Sequence, residues 1–196
     1  RAASPDGGAC CPQIHFGAVE SAFSQGWRRV KLYFLTGLPS ETDEDTLGIV
    51  DLASKCVQIG LKYQRSPSVT VSVGGFVPKP QTPFQWFGQN TVDELRRKFM
   101  LLKDAARQHR GVQLKWHDPA ATMIESLCSR GDRRVGAVIE RVWRDGGTFQ
   151  EWSEHFDLSR WQRACVPPVP GAELPPHPDL LARFRTLIEA SHPNSE

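Results

Sequence analysis

Apolar and polar positions along the 196-residue chain switch between a helical and a strand period, and the switches mark the elements. Residues 30–36 form a short run of apolar β-formers without strict alternation, which predicts a strand buried on both faces and central to a parallel sheet. Before it, Ile14, Val19, Ala22 and Phe23 share one side of a helix expected over residues 12–25 and closed by Gly26. After it, Ile49, Leu52, Cys56 and Ile59 recur at helical spacing, and Gly60 is expected to end that helix. Residues 68–73 then alternate, with Val69, Val71 and Val73 against Ser68, Thr70 and Ser72. The valines suit a helix-covered side. The hydroxyls, with Gly74 and Gly75, suit either the approach of a ligand or the wet face of an antiparallel strand.

Thr91 and Glu94 compose a capping box ahead of a stripe of Val92, Leu95, Phe99, Leu102 and Ala106, and Gly111 stops that helix. His109 in its last turn reads as a partner for the helix dipole. Val112, Leu114 and Trp116 alternate as a third strand. Asp118 and Pro119 supply an N-cap and a first helical residue, and Met123, Ile124, Leu127 and Cys128 face inward from the helix they open. A further helix from about residue 132 carries Val135, Val138, Ile139, Val142 and Trp143 as an apolar stripe that belongs in a core. Phe149, Trp152, Phe156 and Trp161 follow, interleaved with acids, and read as packing groups. At the ends, residues 1–11 are small, polar and Gly-rich and are expected to be disordered. Residues 166–178 hold six prolines and read as a semi-rigid linker to a short amphipathic helix and tail over residues 179–196. Strands alternating with helices predict an α/β fold with parallel strands over residues 12–116, followed by a helical extension over residues 117–165.

The chemistry of the chain concentrates where the first strand stops. Gly37 and Pro39 break it, and Ser40 or Thr42 is placed to cap the next helix. Thr42 and Asp45 fit a capping box, and Glu41, Asp43, Glu44 and Asp45 lie where free amides favour negative charge. This turn leaves the carboxyl end of a parallel strand, the end at which α/β proteins bind ligands. The second strand runs into residues 76–86, where prolines at 78, 80 and 83 keep the loop extended.

Charge and cysteine usage narrow the function classes. A formal net charge of +2 gives no global argument for nucleic acid or an anionic membrane. No apolar run approaches the roughly 18 residues that span a bilayer, and no charged-then-apolar leader is seen, so a cytoplasmic protein or a piece of one is expected. The five cysteines, at 10, 11, 56, 128 and 165, have neither a metal-ligand spacing nor a secreted disulfide framework. Cys56 and Cys128 read as small buried hydrophobes. No metal site is expected from the chain's own residues.

Gly37-Leu-Pro-Ser-Glu-Thr-Asp-Glu-Asp45 resembles the Gly-[Phe/Leu]-Pro-Gly-Glu-Thr-x-Glu-Asp turn of radical S-adenosylmethionine (SAM) enzymes. Close versions occur in the tRNA methylthiotransferases and the oxygen-independent coproporphyrinogen dehydrogenases. Pro78-Lys-Pro-Gln-Thr-Pro83 resembles the Pro-x-Pro-x-Thr-Pro loop that follows the last strand of the SAM-binding barrel in methylthiotransferase-like enzymes. The pattern from His117 and Asp118 through Arg130-Gly-Asp-Arg-Arg-Val-Gly136 to Trp143, Phe149, Trp152 and Trp161 is similar to the segment after the barrel in B12-binding-domain-containing radical SAM proteins. The likeness covers about residues 26–161.

That resemblance implies the carboxyl-terminal portion of a partial (β/α) TIM-type barrel. It implies SAM and a [4Fe–4S] cluster as cofactors, with cobalamin in the full-length family. It implies that Gly37, Leu38, Pro39 and Glu41 border the adenosine of SAM, and that backbone at Phe76, Val77 and Pro78 meets the adenine. The chain departs from the family in having no C-x-x-x-C-x-x-C cluster motif and no Asp-x-His-x-x-Gly cobalamin signature. It is therefore expected to be a fragment or truncated member, inactive alone, whose partner is the missing amino-terminal half of the barrel or another chain. No catalytic residue and no substrate are assigned. Two other readings stand beside it. One is a degenerate non-catalytic module binding a protein or RNA through Arg130, Arg133 and Arg134. The other is a small enzyme using His117 and Asp118, which no nucleophile or ligand set accompanies.

Overall fold

The computed structural model describes residues 16–165 apart from 151 and 153. The expectations for residues 1–11, 166–178 and 179–196, and for Ile14, lie outside these. Among the described residues nine elements follow one another: α1 (Phe16–Ser24), β1 (Arg29–Thr36), α2 (Asp43–Leu61), β2 (Ser68–Gly75), α3 (Val92–Ala106), β3 (Val112–Trp116), α4 (Pro119–Arg130), α5 (Val135–Arg144) and α6 (Leu158–Cys165). They divide between two compact units. Of the described residues, the first comprises 16–36, Ser40–Gly74 and Arg97–Trp116; the second comprises Gly37–Pro39, Gly75–Arg96 and those from His117 onward.

The first unit is an α/β layer. Its open sheet has three strands in the order β1-β2-β3. β2 and β3 are parallel, with Val69 opposite Val112 and Val73 opposite Trp116. β1 and β2 also start and end together. The Ser68 amide donates to the Arg28 carbonyl at 3.0 Å, and a Cβ built on Gly74 would lie 3.4 Å from Leu35. The sheet is thus parallel, and the antiparallel alternative for β2 falls. Val69, Val71 and Val73 are wholly buried with Phe23, Ala53, Cys56 and Leu102, as their alternation requires.

β1 departs from expectation. β2 is the central strand, and β1 is an edge whose residues alternate between half-buried and exposed, with only Thr36 fully covered. Tyr33 and Leu35 are 72% and 54% exposed. Helices cover one face of the sheet; Lys31, Tyr33 and Leu35 project from the other. An apolar composition therefore reported a strand with a bare face, because composition alone cannot separate a covered face from an uncovered one.

Helix ends follow capping chemistry. Thr42, not Ser40, caps α2, and its side chain and that of Asp45 satisfy each other's backbone amides. The Thr91 hydroxyl accepts from the Glu94 amide at 3.1 Å ahead of α3. Asp118 accepts from the Ala120 amide, with Pro119 as first residue of α4. Gly26 and Gly111 hold φ of +92° and +94° and end the segments before β1 and β3.

Gly60 does not end α2, which continues to Leu61. It is buried within the helix, where a Cβ would meet Pro67 at 2.6 Å and the Phe23 ring at 3.0 Å. The glycine serves close approach rather than termination, and the buried stripe of α2 is Thr46, Ile49, Val50, Ala53, Cys56 and Val57.

The second unit has its own core, in which Ile124 and Leu127 of α4, Val135, Val138 and Val142 of α5, and Trp161 of α6 interlock. Three expected core positions face solvent instead. Cys128 is exposed, and Ile139 and Trp143 are 47% and 64% exposed. α5 starts at Val135, and its buried set is spaced i, i+3, i+7, so the i+4 positions fall outside the contact stripe. Trp161 is buried, while Phe149 and Trp152 are exposed, their rings 5.1 Å apart and tilted by 30°. Among the described residues no helix is long and apolar enough to cross a membrane.

Gly60→Ala places its methyl in the Pro67–Phe23 contact and is expected to destabilise the protein by about 1–3 kcal/mol. Urea unfolding of the variant beside wild type reads this as a lower midpoint at unchanged slope.

Candidate functional site

The turn after β1 combines two left-handed residues, Gly37 at φ +88° and Ser40 at φ +63°. A non-glycine residue there carries a conformational cost that surrounding contacts must offset. The side chains on either side of the turn provide them. Glu41 Oε1 accepts from Thr36 Oγ1 at 2.6 Å, from Thr46 Oγ1 at 2.8 Å and from Lys98 Nζ at 3.0 Å. Lys98 Nζ also donates to Thr46 Oγ1 at 3.1 Å. The Lys98 and Glu41 side chains are 3% and 7% exposed. One buried carboxylate thereby joins the last residue of β1, the first turn of α2 and the middle of α3. Desolvating two charges is costly, so a buried pair of this kind persists where its geometry is fully satisfied.

A second link lies nearer the surface. Arg97 Nη1 and Nη2 donate to the two Asp43 carboxylate oxygens at 2.8 and 2.7 Å, with both side chains about half exposed. This fork holds the Asp43 carboxyl below the usual carboxylate range. The Thr42 backbone amide, and then its hydroxyl, lower Asp45 in the same way.

In the second unit, Gly37 and the segment after β2 converge on common neighbours. A Cβ on Gly37 would lie 3.1 Å from Leu95 and 3.2 Å from Asn90 Oδ1; one on Gly75 would lie 3.1 Å from Leu95 and 3.0 Å from Thr122. Gly37 thus serves left-handed backbone and tight packing together. Phe76, Val77 and Pro78 are buried. Phe76 meets Phe84 edge-on at 5.6 Å, and Arg130 Nη1 donates to the Pro78 and Phe87 carbonyls at 3.4 and 3.3 Å. Gln89 is 2% exposed; its Nε2 donates to the Thr122 carbonyl at 3.3 Å, and its Oε1 has no partner among the described residues. A buried acceptor left in this way calls for a donor from outside that set.

The candidate residues thus divide. Gly37, Leu38 and Pro39 lie in one unit with Phe76, Val77 and Pro78, whereas Glu41 belongs to the other, with its carboxylate engaged by Lys98 and two threonines. Lys98, Thr36, Thr46 and Gln89 escaped the sequence reading. A lysine inside an otherwise apolar α3 stripe, between Leu95 and Leu102, was the one available signal. His117 is exposed, and the Asp118 carboxylate is spent on capping α4. In the basic corner, Arg130 holds backbone carbonyls and Arg134 pairs with Asp132.

The described residues do not fit a [4Fe–4S] cluster: no three His, Cys, Asp or Glu side chains among them gather as a metal-binding group, and Cys56 is sealed in α2. The turn at residues 37–39, the backbone after β2 and the unpaired Gln89 Oε1 are compatible in chemistry with a nucleoside, which presents ring faces and amino donors.

Over 123 residues, 63% of this chain, the sequence is 27% identical to the uncharacterized protein MJ0966 of Methanocaldococcus jannaschii. The aligned part spans about a quarter, 26%, of that relative's length. No protein-family profile matches the chain, and no solved structure matches it.

Lys98→Met leaves the Glu41 carboxylate buried without its counter-ion and is expected to cost about 3–5 kcal/mol, whereas Lys98→Met with Glu41→Leu recovers most of that loss. Urea unfolding of both single variants and the double variant checks it; additive losses in that cycle would show the two side chains to be uncoupled.

Proposed function

We propose that this chain contributes the SAM-side wall of a radical SAM-type (β/α) barrel, with the [4Fe–4S] cluster supplied by residues other than those described. The observation that carries the reading is the adjacency of β1 and β2 as parallel strands. Both motif-bearing segments, Gly37 to Pro39 and Phe76 to Pro78, then follow carboxyl ends of neighbouring strands. Two further features support it. Leu95 touches the backbone positions of both Gly37 and Gly75. The uncovered sheet face, with Lys31, Tyr33 and Leu35 exposed, is what a barrel interior presents while its remaining strands are absent.

In this reading Leu38 and Pro39 border the adenosine, and backbone at Phe76, Val77 and Pro78 runs along the adenine edge. Gln89 supplies an acceptor behind them. Glu41 acts through its hydrogen bonds, fixing the turn rather than touching the ligand with its carboxylate. SAM, when bound with a cluster, supplies the radical chemistry; this chain's residues bind and orient the nucleoside. The remaining strands, from this polypeptide or another, complete the barrel and carry the substrate groups.

Titrating ¹⁵N-labelled protein with S-adenosylhomocysteine tests the proposal. Amide shifts are expected to concentrate at Gly37, Leu38, Phe76 and Val77, and Leu38→Asp is expected to weaken the interaction at least tenfold, about 1.4 kcal/mol. Absence of shifts at millimolar ligand, or shifts centred on Arg133 and His117, would overturn it.

A further inference from the structure

The loop after β2 presents an exposed aromatic face. Buried Phe76 meets Phe84 edge-on at 5.6 Å, and Phe84 lies 5.9 Å from Phe87, both of the latter half-exposed. Trp86 beside them is 86% exposed. The loop fixes these residues through its own bonds. Thr82 Oγ1 donates to the Lys79 carbonyl at 2.7 Å, the Gln81 amide to Gln85 Oε1 at 3.1 Å and the Phe87 amide to the Phe84 carbonyl at 3.1 Å. Arg130 of α4 reaches the same loop, where it donates to the Pro78 and Phe87 carbonyls. Among the described residues no carboxylate pairs with its guanidinium, which is partly withdrawn from water. We propose that residues 166–174 of this chain lie extended across Phe84, Trp86 and Phe87, with the Glu173 carboxylate on the Arg130 guanidinium.

Composition, charge and reach select this occupant. Val166-Pro-Pro-Val-Pro170 is the kind of sequence that packs its rings on exposed aromatic side chains, because a chain already confined by proline loses little entropy on docking. Glu173 is the single acidic residue between 166 and 178, and Leu174 next to it offers an apolar side chain to the same rings. Burial disfavours the Arg130 cation on its own, and a carboxylate beside it supplies charge-assisted hydrogen bonds that reverse that penalty. The tether is also sufficient. Leu127 of α4 shares one core cluster with Cys165, the last residue of α6, so the chain leaves α6 beside the helix that carries Arg130. From Cys165 to Glu173 an extended chain reaches about 25 Å, against about 4.5 Å of helix rise between Leu127 and Arg130. An outside ligand meets the same face only in competition with a segment held there at high effective concentration.

NMR spectroscopy of the full chain tests this. Nuclear Overhauser contacts are expected between the ring protons of Trp86 or Phe87 and residues 166–174, with the Leu174 methyl signals moved upfield by the rings. Glu173→Arg is expected to abolish these contacts and to shift the Arg130 Nε signal, whereas Glu173→Asp keeps both as in wild type; unchanged β2 and β3 amide signals show that each variant folds. Leu174 methyls at random-coil positions with no contact to the rings would overturn the proposal. So would contacts and an Arg130 signal indifferent to Glu173→Arg, or contacts that arise only between a ¹³C-labelled and an unlabelled chain in a mixed sample.

Discussion

A single buried charge pair, Lys98 with Glu41, holds the turn on which the candidate site depends. The turn needs such a tether because two of its residues occupy left-handed backbone, and Ser40, unlike Gly37, has a Cβ that disfavours it. The Glu41 carboxylate reaches back to Thr36 and forward to Thr46 while Lys98 neutralises it. Strand end, turn and helix start are thereby fixed by one side chain. An apolar replacement of the pair would cost little in free energy. The ions instead specify geometry, since each hydrogen bond has a direction that a methyl contact lacks.

Local chemistry explains which parts of the fold were legible in advance. Capping at Thr42, Thr91 and Asp118, and the breaks at Gly26 and Gly111, depend on neighbours in sequence and stand as read. The alternation of Val69, Val71 and Val73 likewise reports a half-covered strand directly. What failed was global. The apolar run of β1 suggested coverage on both faces, but coverage is a property of the neighbours that the strand finds. Gly60 looked like a stop because glycine commonly is one; its reason is the Pro67 and Phe23 atoms across from it. Ile139, Trp143 and Cys128 fit an apolar helical stripe, yet the surface each helix meets is narrower than the stripe.

The site was half legible for the same reason. Gly37, Pro39, Phe76 and Pro78 announce themselves by residue type and order. Lys98 and Gln89 do not, because nothing nearby in sequence tells which long polar side chain turns inward. The uncovered sheet face carries a related lesson: Tyr33 and Leu35 are apolar and exposed side by side with Lys31, whose ammonium lies 4.7 Å from the Tyr33 ring centre.

The most direct test of the clamp is the backbone order of the turn itself, measured by ¹⁵N relaxation at Gly37, Leu38 and Ser40. Order parameters near 0.85, as in rigid backbone, are predicted for wild type, falling below about 0.6 in Lys98→Met while β2 stays rigid. A turn already mobile in wild type, or one equally rigid without Lys98, would contradict the role given to the pair.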